Sequence, residues 1–209
     1  MEPTTVAERR AAGRTCRDLA PLESHADPGP APETRDPIAF LEEQAASRQA
    51  DLVPIRHGRM ADNPFGFLRG AALVQAHDLA PTPTSGLRVQ LCGDAHIRNF
   101  GKFATPERNV VFSINDFDET LPGPFEWDVK RLAASLHLVA QQNGFPPKKC
   151  DEAVLTTLRS YRERMAGYAA MSAIQQRVPT LPTPPTRCAT STNSYRSTST
   201  RRSSRSDSW

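Results

Sequence analysis

Apolar and polar positions alternate along this chain in ways that predict a mostly helical body around two short strands. Asp36-Pro37 sets an N-capping side chain before proline, and Ile38, Leu41, Ala45 and Arg48 follow at helical spacing, predicting a helix to about Ala50. Leu52–Met60 reads as an irregular basic segment carrying Arg56, His57 and Arg59. Asn63-Pro64 caps a second helix with Phe67, Leu68, Ala71, Leu73 and Val74 on its apolar face. Two β-branched runs, Val89–Cys92 and Val110–Ile114, each end in a polar cluster and predict buried strands, paired antiparallel. Leu121–Pro124 reads as a rigid loop. A helix follows over Phe125–Gln142, with Val129, Leu132, Ala133, Leu136 and Val139 inward. A last helix is expected from about Lys149 to Ile174. Its seam of Val154, Leu158, Tyr161, Met165 and Tyr168 would pack on another helix.

The ends of the chain lack such patterning. Residues 1–35 hold few large apolar side chains and include ADPGPAPET, so they are expected to be disordered. The patterned region is 36–176. Arg177–Trp209 is low-complexity, with eight Ser and seven Thr, and is expected to be a disordered tail. The pattern breaks inside a helix with no cap, which reads as a frameshift or premature end; a genuine flexible basic tail is the alternative. The tail also explains the charge. It carries six Arg against one Asp, so the overall +3 leaves the remainder slightly acidic and gives no sign of a specific nucleic-acid face.

Composition excludes several classes. The four cysteines form no CxxC pair, which argues against a zinc knuckle or disulfide framework. Cys92 is expected to be a small buried apolar residue. No run approaches the ~20 apolar residues that span a bilayer. No apolar signal region opens the chain, so no membrane partner and a cytoplasmic location are the expectations.

The chemistry concentrates between Leu87 and Thr120. Asp94 follows a strand and Gly93, which permits a tight bend; Asn99 lies five positions on, and Asp116 and Asp118 end the next strand. Carboxylates delivered to one edge repel each other unless a cation or a proton lies between them. An Asp to orient a hydroxyl, with Asn and Asp oxygens for Mg²⁺, is the set that phosphoryl transfer needs. Loop capping alone could account for any one of these residues. Arg69 interrupts an apolar face, where it would either snorkel to solvent or neutralise a buried carboxylate; it is the candidate cofactor-binding residue.

GDAHIRNFG resembles the GDxHxxN catalytic loop of aminoglycoside and choline phosphotransferases and other protein-kinase-like enzymes, and NDFD resembles their metal-binding Asp segment. More closely, PIRHGRM, NPFGFLRGAA, LRVQLCGDAH, NFGKFATPERNVVFSINDFDETLPGPFEWDVKRLAASL and SYRERM resemble the bacterial family called domain of unknown function 2252, over about Ile38–Tyr168. The resemblance implies an α+β fold, a protein-kinase-like catalytic-lobe fragment with a small antiparallel β element. It implies Asp94 as catalytic base, Asn99 and Asp116 as Mg²⁺ ligands with Asp118 as the competing second ligand, and ATP as cosubstrate. It implies His96 as a loop-orienting residue and Asp128 as a brace for the catalytic-loop backbone. Family members are about twice this length, and the chain has no GxGxxG or P-loop, so weak or absent phosphotransferase activity is expected. Two other readings stand beside it. One is a metal-dependent phosphoesterase using Asp94, His96, Asp116 and Asp118. The other is a non-enzymatic truncated domain. The substrate, a small molecule or a protein, and the oligomeric state are not specified by any motif.

Overall fold

A computed structural model describes residues 5–27, 35–106 and 108–171. The expected tail at 177–209, and the last residues of the expected final helix, lie outside that range. The fold is α+β. The elements in chain order are α1 (Val6–Leu19), a 3₁₀ turn (Leu22–Ala26), α2 (Pro37–Ala45), α3 (Val53–Ala61), α4 (Pro64–Gly70), α5 (Ala72–Leu79), β1 (Arg88–Leu91), a 3₁₀ turn (Ile97–Asn99), β2 (Phe100–Ala104), β3 (Val110–Ile114), β4 (Leu121–Pro124), α6 (Phe125–Gln142) and α7 (Pro147–Ala169).

The capping signals at two helix starts act as expected. The Asp36 carboxylate accepts from the amides of Ile38 and Ala39 to start α2, which ends at Ala45, short of Ala50. Asn63 accepts from Gly66 N to start α4. The expected second helix divides at Ala71, whose backbone leaves the helical region (φ −113°, ψ 38°), giving α4 and α5. Leu41, Met60, Ala71 and Val74 form the core cluster of these N-terminal helices, with Phe40 against it.

Several expectations are corrected. Within 1–35, residues 6–19 form a helix. Burial did not require it, since α1 buries no residue; a reciprocal capping box makes it, with Glu8 N donating to Thr5 Oγ1 and Thr5 N to the Glu8 carboxylate. Leu52–Met60 is not irregular: 53–61 is α3, begun by Pro54 in its first turn.

The strands differ most. β1 and β3 do not pair. β1 pairs antiparallel with β4 (Leu91↔Leu121 to Arg88↔Pro124), and β2 pairs with β3 as a hairpin (Phe100↔Ile114 to Ala104↔Val110). The LPGP segment is therefore a strand, not a loop. A two-stranded ribbon has only edges, and edges tolerate prolines because no second neighbour needs their missing N–H. Nor are the strands buried. Val89, Val110 and Phe112 are all exposed, and within β1 only Leu91 is enclosed.

α6 runs over the residues expected, but its inward face differs. Val129, Leu132, Ala133, Leu136 and Val139 are only half-buried, while Glu126, Arg131, Ser135 and Ala140 are buried. α7 begins at Pro147 and packs along α6, yet Tyr161 and Met165 of its seam are exposed among the described residues. No helix among the described residues is long and apolar enough to cross a membrane.

Candidate functional site

The polar residues on the inward face of α6 hold the loop that follows β1. The Asp128 carboxylate accepts from Cys92 N (2.7 Å) and Gly93 N (3.1 Å), one oxygen to each. One turn on, the Arg131 guanidinium donates through Nε to Asp94 Oδ1 (2.6 Å). A further turn on, Ser135 Oγ accepts from Ile97 N (3.0 Å) and donates to Leu132 O. Spacings of three and four place all three residues on one helix face. Loop 92–97 is thus fixed at four points to one rigid helix.

Arg131 is nearly sealed from solvent and every arm of its fork is used. Besides Asp94, it reaches Gln75 Oε1 and Leu68 O (2.7 Å), tying the loop to α4 and α5 as well. A buried cation is tolerated when it is paired and its remaining donors are satisfied, as here. Burial pushes the Asp128 carboxyl above its usual range, against the lowering effect of its two amide donors.

His96 is 2% exposed. Its Nε2 lies 3.5 Å from Asp94 Oδ2 and 3.4 Å from Arg69 Nε, and its ring meets Phe65 edge-on. Burial holds its pKa below the ordinary histidine value, only partly opposed by Asp94, so the ring is neutral. A neutral Nε2 can donate to Asp94 or accept from Arg69, not both, and Nδ1 has no partner either way. Arg69 is exposed and has no carboxylate within ion-pair distance among the described residues, so of its two expected roles it takes the solvent-reaching one; the partly buried Asp94 carboxylate is paired by Arg131.

The acidic loop after β3 reaches the same place by a different route. Asp118 N donates to Asp116 Oδ1 (3.1 Å), closing a local turn. Cys92 Sγ donates to Asp116 O (3.3 Å), so the thiol, kept protonated by burial, is a hydrogen-bond donor as well as a core residue. Thr120 Oγ1 bridges Gln90 Nε2 and Leu91 O. Gly93 adopts φ +84°, and a Cβ there would lie 1.9 Å from Glu119 O. Only glycine allows the two loops to approach this closely.

Asp94, Asp116, Asp118 and Glu119 line one cavity of about 500 Å³ together with Arg48, Arg56, Arg59 and Arg69. Arg48 lies 3.8 Å from Glu119, while Arg56 is turned to Gln44 Oε1 and Gly70 O. Asn99 Nδ2 donates to Asp94 O (2.8 Å), which leaves Asn99 Oδ1 as an oxygen donor. Neither Asn99 nor His96 is among the residues lining this cavity. No three His, Cys, Asp or Glu side chains among the described residues converge as a metal cage. The oxygen donors nevertheless suit Mg²⁺, which is commonly held by one or two carboxylates and completes its shell with water and substrate phosphates.

Arg131 lies within the EWDVKRLA segment of the family resemblance, yet no catalytic or metal-binding pattern points to it. Its signal is the run Asp128, Arg131, Ser135: a charged and polar stripe at helical spacing inside an otherwise apolar helix.

The architecture is thus that of a helical α+β domain in which Asp128, Arg131 and Ser135 of α6 hold the loop carrying Asp94, beside a cavity lined by acids and arginines. The chain belongs to a family of uncharacterised proteins found in bacteria, domain of unknown function 2252, whose model matches residues 48–206. No curated protein and no solved structure matches it.

Proposed function

We propose that the cavity between Asp94 and the 116–119 loop is the phosphate-handling half of a kinase-like phosphotransferase site. The observation that carries this reading is the shared cavity itself, lined by four acidic residues and four arginines. The arginines would attract and orient a phosphate group, since their planar forks match its oxygens. Asp94 would position an acceptor hydroxyl. Its Oδ1 is held by Arg131, so Oδ2 is the oxygen left to accept from a substrate. Asp116 and Asp118 would hold Mg²⁺, which when bound would supply charge neutralisation on the phosphate oxygens; Asn99, the other ligand the resemblance implies, does not line the cavity. Asp128 and His96 act through the loop backbone and do not meet substrate. The chain has no glycine-rich phosphate loop, so turnover is expected to be weak or nil even where binding occurs.

The phosphoesterase reading needs His96 as a metal ligand. A sealed ring already placed between Asp94 and Arg69 does not favour that role. Metal titration tests the choice. Mn²⁺, used as a paramagnetic probe for the Mg²⁺ site, is expected to broaden the amide signals of residues 115–119 at millimolar concentration and to lose that effect in Asp116→Asn. Tight Zn²⁺ binding that survives Asp116→Asn but not His96→Ala would overturn the proposal in favour of the phosphoesterase.

A further inference from the structure

A second cleft adjoins the first. It measures about 710 Å³ and is walled by α3, α4, Arg98 of the loop and the end of α6. The two share Ile55, Arg59, Gly66 and Arg69 as a common wall. The charge differs sharply between them. Arg59 and Arg69 line both clefts; the four acids Asp94, Asp116, Asp118 and Glu119 line only the first, whereas the second adds Arg98 and Asp62. The Asp62 carboxylate already accepts from Asn63 Nδ2 (2.7 Å). Among the described residues neither Arg59 nor Arg98 has a carboxylate within ion-pair distance, and Arg69 has only the long contact to His96.

Arg59, Arg69 and Arg98 are all exposed, so water screens their mutual repulsion, and their unpaired guanidiniums are accessible to an anion entering the cleft. Guanidinium forks without an ion-pair partner match the several oxygens of a phosphate better than the two of a carboxylate. The volume lies within the range of small-molecule sites.

We propose that this cleft is a second anion site, which binds the phosphate group of a small phosphorylated ligand through Arg59, Arg69 and Arg98. The binding claim stands on the cleft alone. Its use as the place of an acceptor carrying its own phosphate, with the reacting hydroxyl extended toward Asp94 across the shared wall, rests on the phosphotransfer reading above.

The test is titration of the full chain with inorganic phosphate at constant ionic strength, without divalent metal, followed by calorimetry and by NMR. Arg98 lines this cleft and not the first, and Lys148 lines neither. Arg98 is exposed, so Arg98→Gln leaves the fold intact, which circular dichroism verifies. The expected result is saturable binding, weakened about tenfold by Arg98→Gln and changed less than about twofold by Lys148→Gln, an exposed control of equal charge change. Acetate is expected to bind at least about tenfold more weakly than phosphate. Absence of saturable binding, equal loss in the two variants, or acetate binding as tight as phosphate would each overturn the proposal. Phosphate binding that depends on Arg98 in a protein whose Mn²⁺ signal ignores Asp116→Asn would leave this site standing and remove the phosphotransfer reading.

Discussion

Loop 92–97 and loop 115–119 meet in one cavity but are built to different standards. The first is held by the interior of α6 through an ion pair with a buried guanidinium and three backbone amides bound to Asp128 and Ser135. The second is exposed throughout, rises from an exposed hairpin, and is tied down by a thiol, a threonine and its own turn. The contrast shows where rigidity is needed. On the proposed phosphotransfer reading, Asp94 would need fixed support to orient one atom, whereas carboxylates receiving a hydrated cation could adjust as its water shell is exchanged for phosphate oxygens.

Substitutions should separate the two loops by size of effect. The largest loss is expected at Arg131→Met, which leaves Asp94 without its buried partner and frees Gln75 and Leu68 O. Removing one member of such a pair costs roughly 3–5 kcal/mol, measurable as a fall in the urea midpoint at unchanged slope. Gly93→Ala comes next. A left-handed backbone costs an L-residue about 1–3 kcal/mol, and the clash with Glu119 O adds to it. Its second signature would be displaced amide shifts in both loops at once.

A smaller effect follows from pH. The His96 ring, enclosed by Phe65, Arg69, Asp94 and Arg131, has a folded-state pKa below that of the unfolded chain, so its contribution is present above about 6.5 and is lost as pH falls through and below that value. Stability should decline on acidification in that window, and His96→Gln should flatten the decline. Asp128 has the opposite sign, because its carboxyl is raised: acidification toward about 4 relieves rather than adds to its burial cost. Asp116→Asn should be the mildest, within about 0.5 kcal/mol in stability, because the residue is exposed and an amide oxygen can still close the turn with Asp118 N. A large loss there would mean that the second loop is as firmly built as the first.

The sequence pattern revealed these regions unequally. Caps at Asp36 and Asn63 and the extent of α6 were legible because they depend on local chemistry: a side chain reaching its own backbone, or a period of 3.6 residues. Strand pairing was not. Val89–Cys92 and Val110–Ile114 both look like strands, but partners are chosen by long-range register. The decisive partners were FGKFA and the unlikely LPGP. α1 was illegible to an argument from burial because its capping box acts without burial. At the site, Asp94, Asp116 and Asp118 could be named because acidic side chains after strands stand out. That they line one cavity, and that Arg131 rather than Arg69 answers Asp94, could not be read, since it depends on how α6 crosses the loop.

Native-state hydrogen exchange measures the difference in support directly. The amides of Cys92, Gly93 and Ile97, which donate to Asp128 and Ser135, should exchange at least about a hundredfold more slowly than those of Phe117 and Glu119. In Arg131→Met the protection at 92, 93 and 97 should fall together while the hairpin is unchanged. Exchange at these three amides as fast as in the exposed loop would contradict the claim that α6 holds the aspartate in place.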